Sequence, residues 1–202
     1  MSMSHQLIPI IATWHLLYKE FAKDAVGKNA IHLLHSIIFM LHYNCGYELE
    51  YAVQISIGFY LYDTVYLLKS LSIIYILHHM ITIYIISLVI TAPQHAASAL
   101  KGYYMLEVSN ITLYMSYHVR KAHPSKAALI MASEFMQLVW YSYYRIFKLT
   151  PHLYEISAEA FSLGFSAVAM ICVIYAMGIG WSYKLLLKNM NNWAEIKKMM
   201  KT

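Results

Sequence analysis

The chain has little charge, few cysteines and few helix-breaking residues. Only 12% of its 202 residues are charged, whereas 60% are hydrophobic, which places it well outside the composition of soluble globular proteins. Its two cysteines, Cys45 and Cys172, lie on different segments and indicate neither a disulfide framework nor a metal knuckle. A glycine-rich phosphate loop, a serine nucleophile elbow and a Cys/His zinc pattern are also absent. What remains is a single domain built from long apolar segments.

Six apolar segments approach or reach the roughly 20 residues that a helix needs to cross a bilayer. They are residues 30–44, 51–68, 71–91, 97–118, 127–147 and 160–183. A shorter apolar stretch within residues 5–20 is either an interfacial helix or an additional span. We therefore predict an all-α fold: a polytopic integral membrane helical bundle with six transmembrane helices, or seven if residues 5–20 also cross.

Basic residues flank these segments unevenly. Twelve of the fifteen lysines and arginines fall on one side if every predicted helix crosses the membrane: Lys19, Lys23, Lys28, Lys69, Arg120, Lys121, Lys126, Lys184, Lys188, Lys197, Lys198 and Lys201. The opposite loops, residues 45–50 and 92–96, contain none. This positive-inside pattern predicts that the basic side faces the cytosol. The net charge of +5 then reflects membrane topology, and no nucleic-acid partner is expected.

Five of the predicted helices carry polar side chains at helical spacing. The stripes are His32, His35 and His42; Ser56, Tyr60 and Asp63; Ser72, Tyr75, His79 and Thr82, with His78 beside them; Tyr103, Glu107, Asn110 and Tyr114; and Glu134, Gln137 and Tyr141. Because an ionisable group inside the bilayer costs roughly 2.5–3.5 kcal/mol on insertion scales, these stripes should face a central cavity or one another.

Depth along the helices sharpens this expectation. Counted from the predicted cytosolic helix ends, four ionisable groups lie about 8–12 Å deep and Glu107 lies about 16 Å deep. The four are His35, Asp63, His78 and Glu134. We expect all five to meet in one layer of the bundle.

Two interpretations of the stripes stay open. In the functional one, Asp63, His78 and His79 are candidate catalytic residues, because a buried carboxylate can orient an imidazole as a base or nucleophile. The candidate ligand-binding residues are then His35, Tyr60, Tyr75, Tyr103, Glu107, Asn110 and Glu134. In the structural interpretation, these groups form interhelical hydrogen bonds worth roughly 0.6–2 kcal/mol each. His32 and His42 fit the structural role better. No metal site is predicted, since a di-iron enzyme would need several histidine pairs and doublets.

Six short motifs occur in an order typical of one membrane family. They are Asn29 with His35-Ser36, Gly58-Phe59-Tyr60-Leu61-Tyr62-Asp63, Leu77-His78-His79-Met80, Glu107-Val108-Ser109, Arg145, and Trp181-Ser182-Tyr183-Lys184. On these motifs the chain resembles the TLC-domain family, which includes ceramide synthases, translocating-chain-associating membrane proteins and smaller TLC-domain proteins. The resemblance covers about residues 28–188, and leaves residues 1–27 as an N-terminal segment and 189–202 as a basic cytosolic tail.

The resemblance implies a ring of six helices around a lipid-sized cavity that opens to the cytosol, in the endoplasmic reticulum or a related endomembrane. In ceramide synthases the double histidine is required for acyl transfer from acyl-CoA to a sphingoid base. By this resemblance His78 and His79 take that place, acyl-CoA becomes a candidate substrate, and Arg145 joins the candidate binding residues. No cofactor is implied.

The resemblance is closer to the smaller TLC-domain proteins than to the synthases. The synthases carry acidic residues shortly before the Leu-Glu pair of the fourth domain helix, where this chain has Ala99, Leu100 and Tyr103. The smaller proteins are linked to membrane lipid composition, with sphingolipid or phospholipid as partner. Three functions therefore stay open: an acyltransferase-like enzyme, a non-catalytic lipid-binding regulator, and a helper of secretory cargo or protein translocation.

Overall fold

The computed structural model describes residues 3–46, 49–68 and 73–199. These residues are almost entirely helical and contain no strand, so the all-α prediction is confirmed for them. The α-helices are α1 (Met3–Phe21), α2 (Ala25–Cys45), α3 (Leu49–Leu68), α4 (Ile73–Thr91), α5 (Ala96–Ala122), α6 (Ala127–Ser142), α7 (Leu149–Glu155), α8 (Ser157–Ser162) and α9 (Phe165–Met199). A 3₁₀ turn, Pro93–His95, precedes α5, and a π-helical turn, Tyr143–Lys148, joins α6 to α7.

Two of the described helices, Ile73–Thr91 and the Phe165–Ala194 part of α9, are long and apolar enough to cross a membrane. The other predicted spans are also helical, but they are too short, too polar or too charged to meet the same criteria. Length and composition therefore identify two candidate spans, and the larger number stays a prediction.

The predicted boundaries differ from the observed ones where a cap or a turn sets the helix end. Helix α2 begins at Ala25, five residues earlier than predicted, because Asp24 caps it: the Asp24 carboxylate accepts a hydrogen bond of 2.8 Å from the Gly27 amide. It ends at Gly46, whose φ of 69° lies in the left-handed region that favours glycine. Helix α9 begins after Gly164, which has a φ of 96°.

Removing the Asp24 cap should weaken the fold measurably. Asp24→Ala is expected to lower the free energy of unfolding by about 1 kcal/mol, since an amide of the first turn loses its acceptor. Asp24→Asn keeps a capping oxygen and should stay close to the unaltered chain. A denaturant titration in detergent micelles measures both, and equal losses for the two variants would contradict the capping role.

Helix α1 is packed into the bundle and is not a detached segment. It buries Ile10, Trp14 and Tyr18, which recur at every fourth residue, against α2 and α3. The Trp14 indole donates a hydrogen bond of 3.1 Å to the Ile55 carbonyl. Helices α1 and α3 come close together at Gly58, where an added Cβ atom would lie only 2.6 Å from Ile10 Cγ2. The 1–27 segment and the predicted domain thus share one core.

The predicted cytosolic tail begins inside a helix, because α9 continues to Met199. Several residues assigned above cannot be compared with the structure. Lys69 and Lys201, counted among the basic flanks, and Ser72, placed on the third stripe, lie outside the described residues. The side chains of Lys197 and Lys198 lie outside the described part as well.

Besides its hydrophobic core, the described bundle buries charged groups and exposes many large apolar side chains. The fully buried side chains include Asp63, Glu107 and Arg145, each at most 2% exposed. On α4 the outward face consists of large apolar residues that are at least half exposed: Ile73, Ile74, Leu77 and Met80. The opposite face of the same helix buries His78, His79 and Thr82. Such a distribution is unfavourable in water, where charged groups are rarely buried.

Candidate functional site

A cavity of about 410 Å³ lies within the bundle, between α2, α3, α4, α5, the α6–α7 junction and α9. Most of the residues that line it have polar side chains, although apolar atoms make up the larger part of its surface. The polar residues are Lys28, Asn29, His32, Tyr60, Asp63, Tyr75, His78, His79, Asn110, Tyr114, Tyr141, Arg145 and Lys184. The apolar residues are Phe59, Leu67, Leu113, Trp181 and Leu185. Seven of the predicted site residues therefore line one cavity: Tyr60, Asp63, Tyr75, His78, His79, Asn110 and Arg145.

Asp63 is the centre of the first polar cluster. It accepts a hydrogen bond of 2.7 Å from the Tyr18 hydroxyl, and Lys28 Nζ lies 3.4 Å from its Oδ1. The Nε2 atoms of His32 and His79 each lie 3.5 Å from a carboxylate oxygen. These contacts join α1, α2 and α4 to α3, so the charge of Asp63 is well compensated by its neighbours.

The two histidines of the doublet differ in their surroundings. His79 has neighbours at both ring nitrogens, since Nε2 faces Asp63 and Nδ1 lies 3.3 Å from Thr64 Oγ1. His78 is buried, and its Nδ1 has no hydrogen-bond partner among the described residues. Its ring lies edge-on to Trp181, with the ring centres 5.5 Å apart. In the His78–His79 doublet, the ring nitrogen without a partner in the described part of the chain is therefore Nδ1 of His78.

Arg145 is held inside the bundle by the π-helical turn Tyr143–Lys148. Its side chain is 2% exposed, and Nε donates a hydrogen bond of 2.7 Å to Ser109 Oγ. Nη2 donates to the Leu106 carbonyl at 3.3 Å and to Asn110 Oδ1 at 3.1 Å. Nη1 has no partner in the described part of the chain. All the acceptors are neutral, so the guanidinium charge has no counter-ion among these contacts.

A second polar cluster lies behind the cavity wall, around Glu107. Its carboxylate accepts hydrogen bonds of 2.5 Å from Tyr60 and 2.6 Å from Ser36, and His35 Nδ1 lies 3.6 Å away. Tyr103 lies 3.5 Å from His35 Nε2. Of these groups only Tyr60 lines the larger cavity. Three predicted binding residues, His35, Tyr103 and Glu107, therefore lie behind the residues of its wall and do not line it.

Glu134 does not meet the other acids and histidines, and the prediction that it would is wrong. Its carboxylate binds Arg120, Lys188 Nζ at 2.9 Å and Asn192 Nδ2 at 2.5 Å. The reason is geometric: depth along a helix axis does not fix the direction in which a side chain points. Glu134 points between α5 and α9, where it ties basic residues of both helices.

Sequence reasoning missed several wall residues. His32 was assigned a structural role, yet it contacts Asp63 and also lines the cavity. Lys28 was counted only as a basic flank. Tyr18 does not line the cavity but donates a hydrogen bond to Asp63. It lies in the 5–20 stretch, where its spacing with Ile10 and Trp14 could have indicated a buried face. Within the described residues, no group of three or more histidine, cysteine or acidic side chains is arranged to hold a metal ion.

A second, apolar cavity of about 70 Å³ lies between α4, α5, α7, α8 and α9. It is far below the roughly 300 Å³ of ordinary ligand pockets. The larger cavity is therefore the candidate site.

An exposed ion pair lies outside the smaller cavity. Lys101 donates a hydrogen bond of 3.1 Å to Glu155, which lowers the pKa of that exposed carboxyl.

No family model, curated protein or solved structure matches the chain. The resemblance to the TLC-domain family stays a prediction, carried by the six motifs. The geometry of the cavity has to be interpreted from its own residues.

Proposed function

We propose that the chain is a multi-pass membrane protein that binds a membrane lipid in the larger cavity and acts in lipid metabolism or membrane lipid homeostasis. The observation that carries the proposal is a cavity of about 410 Å³ with both polar side chains and apolar surface in its wall, formed by helices with apolar outer faces. A volume of this size falls within the range of ligand sites.

The outer surface of the bundle supports membrane insertion. Helix α4 exposes a continuous apolar face, and α6 does the same with Phe135, Met136 and Val139, all about half exposed. Contiguous apolar surface of this kind is rare on soluble monomers. Because a bilayer core cannot solvate charges, the same environment accounts for the inward direction of Asp63 and Arg145.

The composition of the cavity wall supports a lipid as ligand. Leu113, Trp181 and Leu185 supply an apolar surface for a hydrocarbon chain, while the polar groups opposite suit a headgroup. Lys28 and Lys184 belong to the basic flanks that predict the cytosolic side, so the cavity would open there. This arrangement agrees with the lipid-sized cavity open to the cytosol that the TLC-domain resemblance implies. By the resemblance alone, we also propose residence in the endoplasmic reticulum or a related endomembrane.

The direct test is lipid bound to the purified protein. We expect a lipid to copurify with the chain in mild detergent and to be released and identified by mass spectrometry. Leu113→Trp, which places an indole in the cavity, should lower lipid occupancy about tenfold, because overpacking costs roughly 1–3 kcal/mol.

Met115→Trp is the matched control, since Met115 lies on the same helix, is 53% exposed and does not line the cavity. It should leave lipid occupancy unchanged. A chain that carries no lipid, or equal occupancy in the two tryptophan variants, would contradict binding in this cavity.

A second candidate function, acyl transfer, is favoured by one observation. The Asp63–His79 pair, with 3.5 Å between Oδ2 and Nε2, and His78, whose buried Nδ1 has no partner among the described residues, line the same cavity. A carboxylate that orients an imidazole, beside a second imidazole with a free nitrogen, is an arrangement suited to proton transfer. The enzyme would be ceramide-synthase-like in taking an acyl group from acyl-CoA.

A further inference from the structure

The wall of the larger cavity carries more positive than negative charge. Among the described residues that line it, Lys28, Arg145 and Lys184 are cationic and Asp63 is the sole carboxylate. Asp63 is already engaged by Lys28, His32 and His79, with a hydrogen bond from Tyr18 in addition. Arg145 thus has no carboxylate partner among the described residues, and the ring of Tyr141 is the aromatic group that its guanidinium faces.

Burying a guanidinium without a counter-ion is costly, and native proteins pair such charges. Arg145 is held by Ser109, Asn110 and the Leu106 carbonyl, three neutral acceptors that use Nε and Nη2. The remaining donor, Nη1, is buried and unpartnered in the described residues. The fixed side chain of this cavity-lining residue therefore has one charged nitrogen without an acceptor.

A second donor without a partner lies beside it. The Tyr141 hydroxyl is buried and makes no hydrogen bond with the described residues, and its ring centre lies 5.2 Å from Arg145 Cζ. The π-helical turn that carries Arg145 is a feature found frequently at functional sites. Arg145 Nη1 and the Tyr141 hydroxyl are thus two buried donors without acceptors, and one of them is charged. An oxygen-rich anion is the kind of ligand that would accept hydrogen bonds from both.

We propose that the ligand of this cavity carries an anionic oxygen group, such as a phosphate, which accepts hydrogen bonds from Arg145 Nη1 and the Tyr141 hydroxyl. The inference rests on the proposed lipid-binding function and defines the headgroup class. The same chemistry would also suit a soluble phosphate ester, so the test includes both sources.

The test compares probes that differ in the phosphate group or in the acyl chains. The full chain, purified and delipidated in detergent, is incubated with dioleoyl phosphatidic acid, with dioleoylglycerol, or with soluble glycerol 3-phosphate, and the bound probe is measured by native mass spectrometry. We expect phosphatidic acid to bind about tenfold more tightly than dioleoylglycerol, since charge-assisted hydrogen bonds are roughly twice as strong as neutral ones.

Arg145→Gln should remove this preference and leave dioleoylglycerol binding intact. Lys148→Gln, which removes an exposed cation of the same π-helical turn, should keep the preference. If Arg145→Gln does not fold, the comparison of phosphatidic acid with dioleoylglycerol on the unaltered chain still tests whether the cavity prefers an anionic headgroup.

Each outcome separates this inference from the proposed function. Equal binding of phosphatidic acid and dioleoylglycerol would overturn the anionic headgroup and leave lipid binding in place. Binding of neither lipid would overturn the proposed function. Binding of glycerol 3-phosphate alone, if lost in Arg145→Gln, would support the anion site and assign it to a soluble ligand.

Discussion

Asp63→Asn should lower the free energy of unfolding by about 3–5 kcal/mol, because it removes one partner of a buried ionic cluster. Asp63 is 1% exposed, and Lys28 Nζ lies 3.4 Å from its carboxylate. The amide would leave Lys28 without its counter-ion and would weaken the contacts with Tyr18 and His79. Since these contacts join four helices, the loss should appear in the global unfolding transition, measured by denaturant titration in detergent micelles.

An exposed carboxylate supplies the control for this prediction. Glu20 lies 4.0 Å from Lys23 at the surface, with both side chains more than half exposed. Exposed pairs of this kind contribute about 0–1 kcal/mol, so Glu20→Gln should be close to neutral. A loss at Asp63 no larger than that at Glu20 would mean that the cluster does not hold the bundle together.

The Lys28→Met change, added to Asp63→Asn, tests where the penalty comes from. If the cost is the unpaired ammonium group, the double variant should be more stable than Asp63→Asn alone, because the partly buried cation has been removed. If the losses in unfolding free energy of Asp63→Asn and Lys28→Met instead add up in the double variant, the effect comes from packing around each residue. The double-mutant cycle distinguishes these causes.

The convergence of Asp63 with His78 and His79 could be predicted because helical spacing and the cost of charges in an apolar environment act together. Each residue lies on an otherwise apolar helix, so the inward direction is the one available to it. The same reasoning failed at Glu134, which has a second solution: it is neutralised by Arg120 and Lys188 between helices. The depth of a carboxylate along its helix does not determine whether it faces a cavity or forms an ion pair with a neighbouring helix.

The features that position Arg145 could not be predicted. The π-helical turn Tyr143–Lys148 contains neither proline nor glycine, so nothing in its sequence marks an added residue in the helix. Arg145 was noticed through a family resemblance, whereas its hydrogen bonds to Ser109 and Asn110 depend on how α5 packs against this turn. Lys28 lies outside the six predicted spans and Tyr18 lies in the 5–20 stretch, which is not among those six. Only tertiary packing brings both to Asp63.

For the second candidate function, the largest expected effect is the loss of acyl transfer in His78→Ala. The base would take a proton from the amine or hydroxyl of a lipid acceptor as that atom forms its bond to the acyl carbon. The carbon–sulfur bond of acyl-CoA breaks, and the proton passes to the departing thiolate. His78 is better placed for this role, because both ring nitrogens of His79 already have neighbours.

Labelled oleoyl-CoA, incubated with the purified chain and a sphingoid base or lysophospholipid, measures the transfer. Loss of the general base should lower its rate by roughly 10²–10⁴-fold, with bound lipid retained. His79→Ala should also lower the rate, because Asp63 then orients no imidazole of the doublet. His42→Ala, on the same helix as His32 but outside the cavity wall, is the control and should transfer at the original rate. A chain that binds lipid yet transfers no acyl group would contradict catalysis and leave the doublet a role in holding the headgroup.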